Sequence, residues 1–353
     1  MSKKKNCLHI VLMLSLMGIT GFILLRDQPL SALGSALGQI RLRYVLLGLG
    51  LMILFVGCEA MCTKLVLRRL GYRISYRHCL EYSFTGFYFS SITPSATGGQ
   101  PAQVYYMSRD GVSAAHGALD MLLITVCYQV STLLLGMAAF LLRPISLAEL
   151  GGGLSLLLLY GTVTTLALTA AILTVMFAPN LANHIVGGVL RLLVRLHLLK
   201  HAAQAREKLD VQMEAYHKGA ACLRSYPVLL PALLGLSLIQ LTSLYLIPYV
   251  IYRSFGLAGH TALEMTAVQA LLTLAVSTLP LPGAVGPSEG GFLKAFVLFF
   301  GVGLVTPAML ISRGISFYAF LLVSGVITLL VHLRTQKQPL QVPGRQNPLA
   351  ANE

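Results

Sequence analysis

Ser90 to Gly111 reads SSITPSATGGQPAQVYYMSRDG. It follows an apolar and aromatic run, His78 to Ile92, that puts it at or inside a bilayer. Yet it carries Pro94, Gly98, Gly99 and Pro101, residue types that interrupt helices. Main chain in hydrocarbon must satisfy its own hydrogen bonds. An interrupted helix is tolerated there only where protein buries it or where it lines a wet cavity. A second stretch of the same kind lies far downstream: LPLPGAVGPSEGGF at Leu279 to Phe292. The two interruptions are the expected working parts, and the rest of the chain is their scaffold.

Composition sets the class. The chain has 353 residues, 56% hydrophobic and 11% charged, with a mean hydropathy of +0.76. That balance predicts a polytopic all-α membrane protein and excludes a large soluble catalytic domain. The formal net charge is +14, with 26 Lys and Arg against 12 Asp and Glu. The basic residues cluster in short loops between apolar runs, which points to membrane orientation and anionic headgroups rather than nucleic acid. Trp is 0, so the 15 Tyr must supply the interfacial belt. The six cysteines lie mostly in or beside apolar runs and include no CxxC, so they read as packing residues.

Taken in order, Lys3, Lys4 and Lys5 precede an apolar run, Leu8 to Leu25, read as a retained anchor with a cytoplasmic N-terminus. A cleaved signal peptide is the alternative, with Ser35-Ala36 resembling a cleavage site. Gln28 to Arg43 is mixed and suits an interfacial helix. Tyr44 to Leu67 is a span; Lys64 near its end, with Arg68, Arg69, Arg73 and Arg77 after it, makes a positive loop expected on the cytoplasmic side. Leu119 to Leu142 and Leu154 to Phe177 are spans. Ala178 to Ser225 is basic and amphipathic and is expected to lie on the cytoplasmic face. His197 and His201 within it have the spacing of metal ligands but no third ligand, so no metal is expected.

Parity turns this into a topology. Three candidate spans separate two segments expected on the same side, so the weakest, His78 to Ile92, must return through Gln103 to Met107 as a re-entrant hairpin. Downstream, Pro227 to Tyr252 is a span, Leu263 to Val305 is a second hairpin broken at Pro280 to Pro287, and Pro307 to Leu333 is the last span, ending at Arg334 and Lys337. The prediction is about six full spans plus two hairpins dipping in from opposite faces, a transporter pattern. Residues 1–337 form the membrane domain, and the polar residues 338–353 a tail read as disordered.

The breaks hold the candidate site residues. The Gly98-Gly99 amides suit an anion such as phosphate, and Gln100 adds a polar arm. Arg109 returns to the cytoplasmic surface. Glu289, beside Ser288, is expected to pair with Arg313, because an ionisable group in a membrane is costly unless paired or functional. Glu59, Asp120 and Lys294 are further candidates for a polar path. No HExxH, P-loop or GxSxG is present, and no cofactor is expected.

The stretches ITPSATGGQPAQVYYMSRDGVS at Ile92 to Ser113 and LPLPGAVGPSEGGF at Leu279 to Phe292, with the later Arg313, resemble the signatures of the lysylphosphatidylglycerol synthase transmembrane-region family. The resemblance covers nearly the whole chain. It implies a flippase-like domain that moves aminoacylated phosphatidylglycerol between leaflets of a bacterial inner membrane. Bifunctional members add a separate cytosolic domain that transfers lysine from lysyl-tRNA, and that machinery is not expected in this chain. Many members carry Glu after the Gly of the first break, where this chain has Gln100.

The functional expectation is therefore a lipid translocator with membrane phospholipid as its partner. Gly98, Gly99, Gln100, Arg109, Ser288, Glu289 and Arg313 would bind the headgroup. In that scheme Glu289 accepts a headgroup amine. The alternatives are a phosphatidylglycerol lysyltransferase using lysyl-tRNA, or a membrane subunit serving a separately encoded synthase.

Overall fold

The computed structural model describes residues 38, 41–142, 147–177 and 226–336. The expected anchor at Leu8 to Leu25, the basic segment from Ala178 to Ser225 and the tail at 338–353 lie outside the described residues.

Helix α1, Leu42–Arg69, is the first described span. It stops where Gly71 takes φ +89 and the Tyr72 N–H reaches the Leu67 carbonyl at 2.9 Å, a left-handed glycine stop. Helix α2, Tyr76–Ile92, is capped by Ser75, whose hydroxyl accepts the His78 N–H. It ends at Thr93, held extended by Pro94 behind it. A short 3-10 turn, Pro94–Ala96, leads to α3, Gly99–Arg109. At 1.5 Å per residue α2 and α3 are about 26 and 17 Å long, short of the ~30 Å hydrocarbon layer. They pack on one another as two arms of a hairpin, as expected.

Two spans follow, α4 (Ala114–Leu142) and α5 (Leu147–Phe177). The next span, Leu229–Ser254, consists of α6 (Leu229–Tyr245) and α7 (Ile247–Ser254), joined at Leu246 just before Pro248. Helix α8, Ala262–Val276, starts in a capping box between Thr261 and Glu264 and is also too short to cross. The second 3-10 turn is Pro282–Ala284, and α9, Pro287–Arg313, follows. Gly301, at φ 70 and ψ 167, bends α9 and separates the returning hairpin arm, 287–300, from the last span. That span continues through a π-helical turn, Gly314–Tyr318, into α10, Ala319–Gln336. It begins a few residues before the expected Pro307, which the helix absorbs. Five full crossings thus lie within the described residues, which contain helices and no strand. The sixth expected crossing is the undescribed anchor.

The two interruptions begin alike and then diverge: Thr97 and Gly98 are right-handed, whereas Val285 is extended and Gly286 takes φ +90. Each runs Pro-x-Ala-x-Gly: Pro94, Ser95, Ala96, Thr97, Gly98 and Pro282, Gly283, Ala284, Val285, Gly286. In each, the second and third residues take left-handed backbone: Ser95 and Ala96 at φ 51 and 55, Gly283 and Ala284 at φ 57 and 49. Left-handed backbone costs a non-glycine residue about 1–2 kcal/mol, so each break stores strain that its surroundings must hold. The two turns touch. The packing repeats as well: α2 lies along α10 and α8 along α4, so each hairpin's first arm packs against the span that follows the other hairpin. The opening spans of the two halves, α1 and α6, pack together. Each half thus runs span, broken hairpin, span, with the same set of packing partners.

Candidate functional site

A cavity of about 630 Å³ opens where the hairpin tips meet. Its walls come from both breaks (Ser95, Ala96, Gly283, Ala284), from α1 through α8, from the returning arm of α9 and from the last span. Helix α4 presents Thr125, Tyr128, Gln129 and Thr132, and α8 presents Gln269, Thr273 and Ser277. Within this polar lining stand one carboxylate and one cation, Glu59 and Arg313. Apolar walls such as Phe55, Phe87, Leu168 and Phe317 alternate with them.

Arg313 is fixed by the second break. Its Nε donates to Glu289 Oε1 at 2.8 Å and a terminal nitrogen donates to the Gly283 carbonyl at 3.1 Å. Glu289 also accepts the Gly286 N–H at 2.6 Å and the Tyr318 hydroxyl at 3.2 Å. The guanidinium lies 4.5 Å from the Phe317 ring centroid. The expected Glu289–Arg313 pair is therefore present. Of the two, Arg313 lines the cavity, and Glu289 backs it from the hairpin. Ser288 lines the cavity beside it.

Glu59 comes from mid-α1 and is held by two amides. Gln103 Nε2 donates to Oε1 at 3.0 Å and Gln240 Nε2 to Oε2 at 3.4 Å. Gln103 passes directly over Gly86, where any β-carbon would overlap its side chain, so the small residue on α2 is what lets α3 reach α1. Gln100 lines the cavity and donates to the Thr125 hydroxyl at 2.6 Å. Asp120 lies behind the wall, fully buried.

The other sequence candidates stand apart. The Gly98 N–H donates to Thr93 Oγ1 at 2.9 Å, closing its own turn. Gly99 is buried against Ser90 and the Gly86 carbonyl. Both glycines let the hairpin arms approach, and neither lines the cavity. Arg109 donates to the Thr335 carbonyl at 2.6 Å, at the far end of α10. Lys294 is exposed on α9, away from the cavity. Near Arg109, Glu81 on α2 binds Arg334 through both oxygens, and Tyr106 meets His332 Nδ1 at 3.2 Å. These contacts latch the first hairpin to the last span, as Glu289 latches the second. The sequence reading overlooked the glutamines 103, 240 and 269 and the α4 stripe. Their spacing was the available signal: Thr125, Tyr128, Gln129 and Thr132 stand at i, i+3, i+4 and i+7 in an apolar helix.

The family model described as "Lysylphosphatidylglycerol synthase TM region" matches residues 8–324. The chain belongs to this family. The lysylphosphatidylglycerol synthase TM region thus includes both breaks, every cavity-lining residue and most of the last span. The chain is also similar to a UPF0104 membrane protein of Archaeoglobus fulgidus, 41% identical over 63 residues. That match covers 18% of this chain and 19% of the archaeal protein. Within the family, this chain is a multi-pass helical membrane protein whose polar cavity is framed by two broken hairpins.

Proposed function

We propose that this protein is a lipid translocator of a cell membrane, moving a phospholipid with a polar or aminoacylated headgroup, of the lysyl-phosphatidylglycerol type, between leaflets. The observation that carries the reading is a single cavity holding one cation and one carboxylate, Arg313 and Glu59, between opposed hairpin tips. Arg313 takes the phosphate and Glu59 the headgroup amine, with hydroxyls and amides between them for the remaining polar atoms. This moves the amine from Glu289, whose carboxylate already serves Arg313, Gly286 and Tyr318, to Glu59. The acyl chains stay in lipid, so only the headgroup needs the cavity. Membership of the family supports the lipid class. The end bearing Arg68, Arg69, Arg73 and Arg77 then faces the cytoplasm.

The test is translocation in proteoliposomes with a panel of fluorescent lipids differing only in headgroup. The reading requires that lysyl-phosphatidylglycerol moves faster with protein than without. It also requires that Arg313→Gln and Glu59→Gln each remove most of the gain. Equal rates with and without protein for every headgroup would sink it. A second reading, lysyl transfer itself, takes its support from the family's description, which names the synthase. Lysyl-tRNA and phosphatidylglycerol supplied to the same vesicles would yield lysylated lipid under that reading alone.

A further inference from the structure

We propose that Glu59 and Asp120 form an exchange site at which a proton and a headgroup amine replace one another, so that lipid moves one way as a proton moves the other. The identity of the amine rests on the preceding reading; the proton site does not.

Asp120 sits near the start of α4, fully buried, and among the described residues its carboxylate has no ion-pair partner. The Thr63 hydroxyl of α1 stands beside it as its nearest donor, and Glu59, one turn before Thr63 on the same helix face, is the nearby carboxylate. A buried carboxylate with no compensating charge is among the most costly groups a membrane protein can hold, and such groups mark ion pathways. A bound cation removes that cost. A proton is the cation that a single buried carboxylate beside one hydroxyl can take without further ligands.

Glu59 connects this group to the cavity. It lines the wall, and two glutamine amides point their N–H groups at it. Their own carbonyl oxygens, Gln103 Oε1 and Gln240 Oε1, are buried without partners. An ammonium has three N–H donors, and Glu59 with these two oxygens offers matching acceptors. When the amine arrives, its positive charge takes the place of the proton. The O–H bond of the Asp120 carboxyl breaks, Glu59 accepts the proton, and cavity water carries it off. Linkage requires that each cation weakens the binding of the other by the same factor.

Among the described residues, the titratable groups facing Asp120 are Glu59 and Cys62 from α1 and Cys79 from α2, all acids. Lys64 acts on Cys79, and Tyr128 of α4 and Cys62 face Glu59. The neighbouring faces of α3 and α6 contribute Gln103 and Gln240, which do not titrate.

Proton release is measured on purified protein in weak buffer as short-chain lysyl-phosphatidylglycerol or short-chain phosphatidylglycerol is added, with binding followed separately by calorimetry. The lysyl lipid is expected to release a proton for each molecule bound, and phosphatidylglycerol none. Asp120→Asn is expected to abolish release while the lysyl lipid still binds; Glu59→Gln is expected to lose both. Binding of the lysyl lipid without proton release overturns the exchange, as does release unchanged in Asp120→Asn or replaced by a requirement for sodium. Failure of the lysyl lipid to bind at all overturns the headgroup reading instead. Infrared spectra then decide the proton site alone: a protonated-carboxyl band lost in Asp120→Asn supports it, and no such band in the unaltered protein overturns it.

Discussion

Arg313 Nε lies 2.8 Å from Glu289 Oε1, and this contact binds the tip of the second hairpin to the middle of the last span. Both side chains are largely buried, at 16% and 15% exposure, so neither charge has ready access to water as a substitute. Arg313→Gln is expected to lower unfolding stability by about 2–3 kcal/mol, since it leaves a charged acceptor short of its partner. Adding Glu289→Gln should restore part of that loss, with a coupling of about 1–3 kcal/mol in a double-mutant cycle. Thermal unfolding in detergent reads both.

Gly99→Ala is expected to force the arms of the first hairpin apart. Its β-carbon would overlap Ser90 and lie 2.7 Å from the Gly86 carbonyl, a backbone atom that cannot rotate away. A loss of about 1–3 kcal/mol follows from overpacking. Gly290→Ala is the control: nothing lies within 4 Å of its β-carbon, and alanine in a helix gains up to about 1 kcal/mol over glycine. Unfolding midpoints of the two proteins should move in opposite directions.

Gly283→Ala combines two penalties. The residue sits at φ +57, and its β-carbon would overlap the Phe317 ring. Phe317 cannot yield freely because Arg313 lies over its face. This substitution should reduce lipid translocation at least as much as it reduces stability, because it displaces the carbonyl that Arg313 holds. Ser95→Gly, at the matching position of the first break, relieves a left-handed serine and is expected to stabilise by about 1 kcal/mol. Parallel unfolding and transport assays separate the two effects.

Cys58, Cys62, Cys79 and Cys127 are all buried. In the folded protein they should resist a membrane-impermeant maleimide and react after denaturation. Ser95→Cys and Ser277→Cys introduce thiols at exposed positions on the cavity wall. Both should be labelled, and short-chain lipid with a charged headgroup should slow the labelling.

Most of the architecture could be read from the chain because bilayer thickness and hydrogen-bond satisfaction leave few options. Within the described residues, apolar runs of spanning length became spans, and Pro-Gly clusters inside such runs became breaks. The Glu289–Arg313 pair was legible because ionisable groups in apolar sequence are few and need partners. The location of the polar cavity was harder. Gly98 and Gly99 look like an anion nest in sequence, but glycine equally permits close helix contact, and the Gly86 and Ser90 positions that decide between these lie a whole helix away. Gln103 and Gln240 are 137 positions apart yet hold the same carboxylate, a convergence that spacing along one chain does not reveal. Arg109 and Arg334 ended at the latch for the same reason: their partners come from the opposite end of the sequence.

The shared Pro-x-Ala-x-Gly spacing, left-handed at its second and third residues in both breaks, has a thermodynamic consequence. If the two tips are near equivalents, exchanging their surroundings produces a second conformer with almost the same internal contacts, the cavity now facing the other way. Such a pair of conformers is nearly isoenergetic without any dedicated machinery, so a small bias from cargo or membrane voltage suffices to choose between them. The main-chain strain at Ser95, Ala96 and Ala284 is then carried equally by both conformers and drops out of the balance.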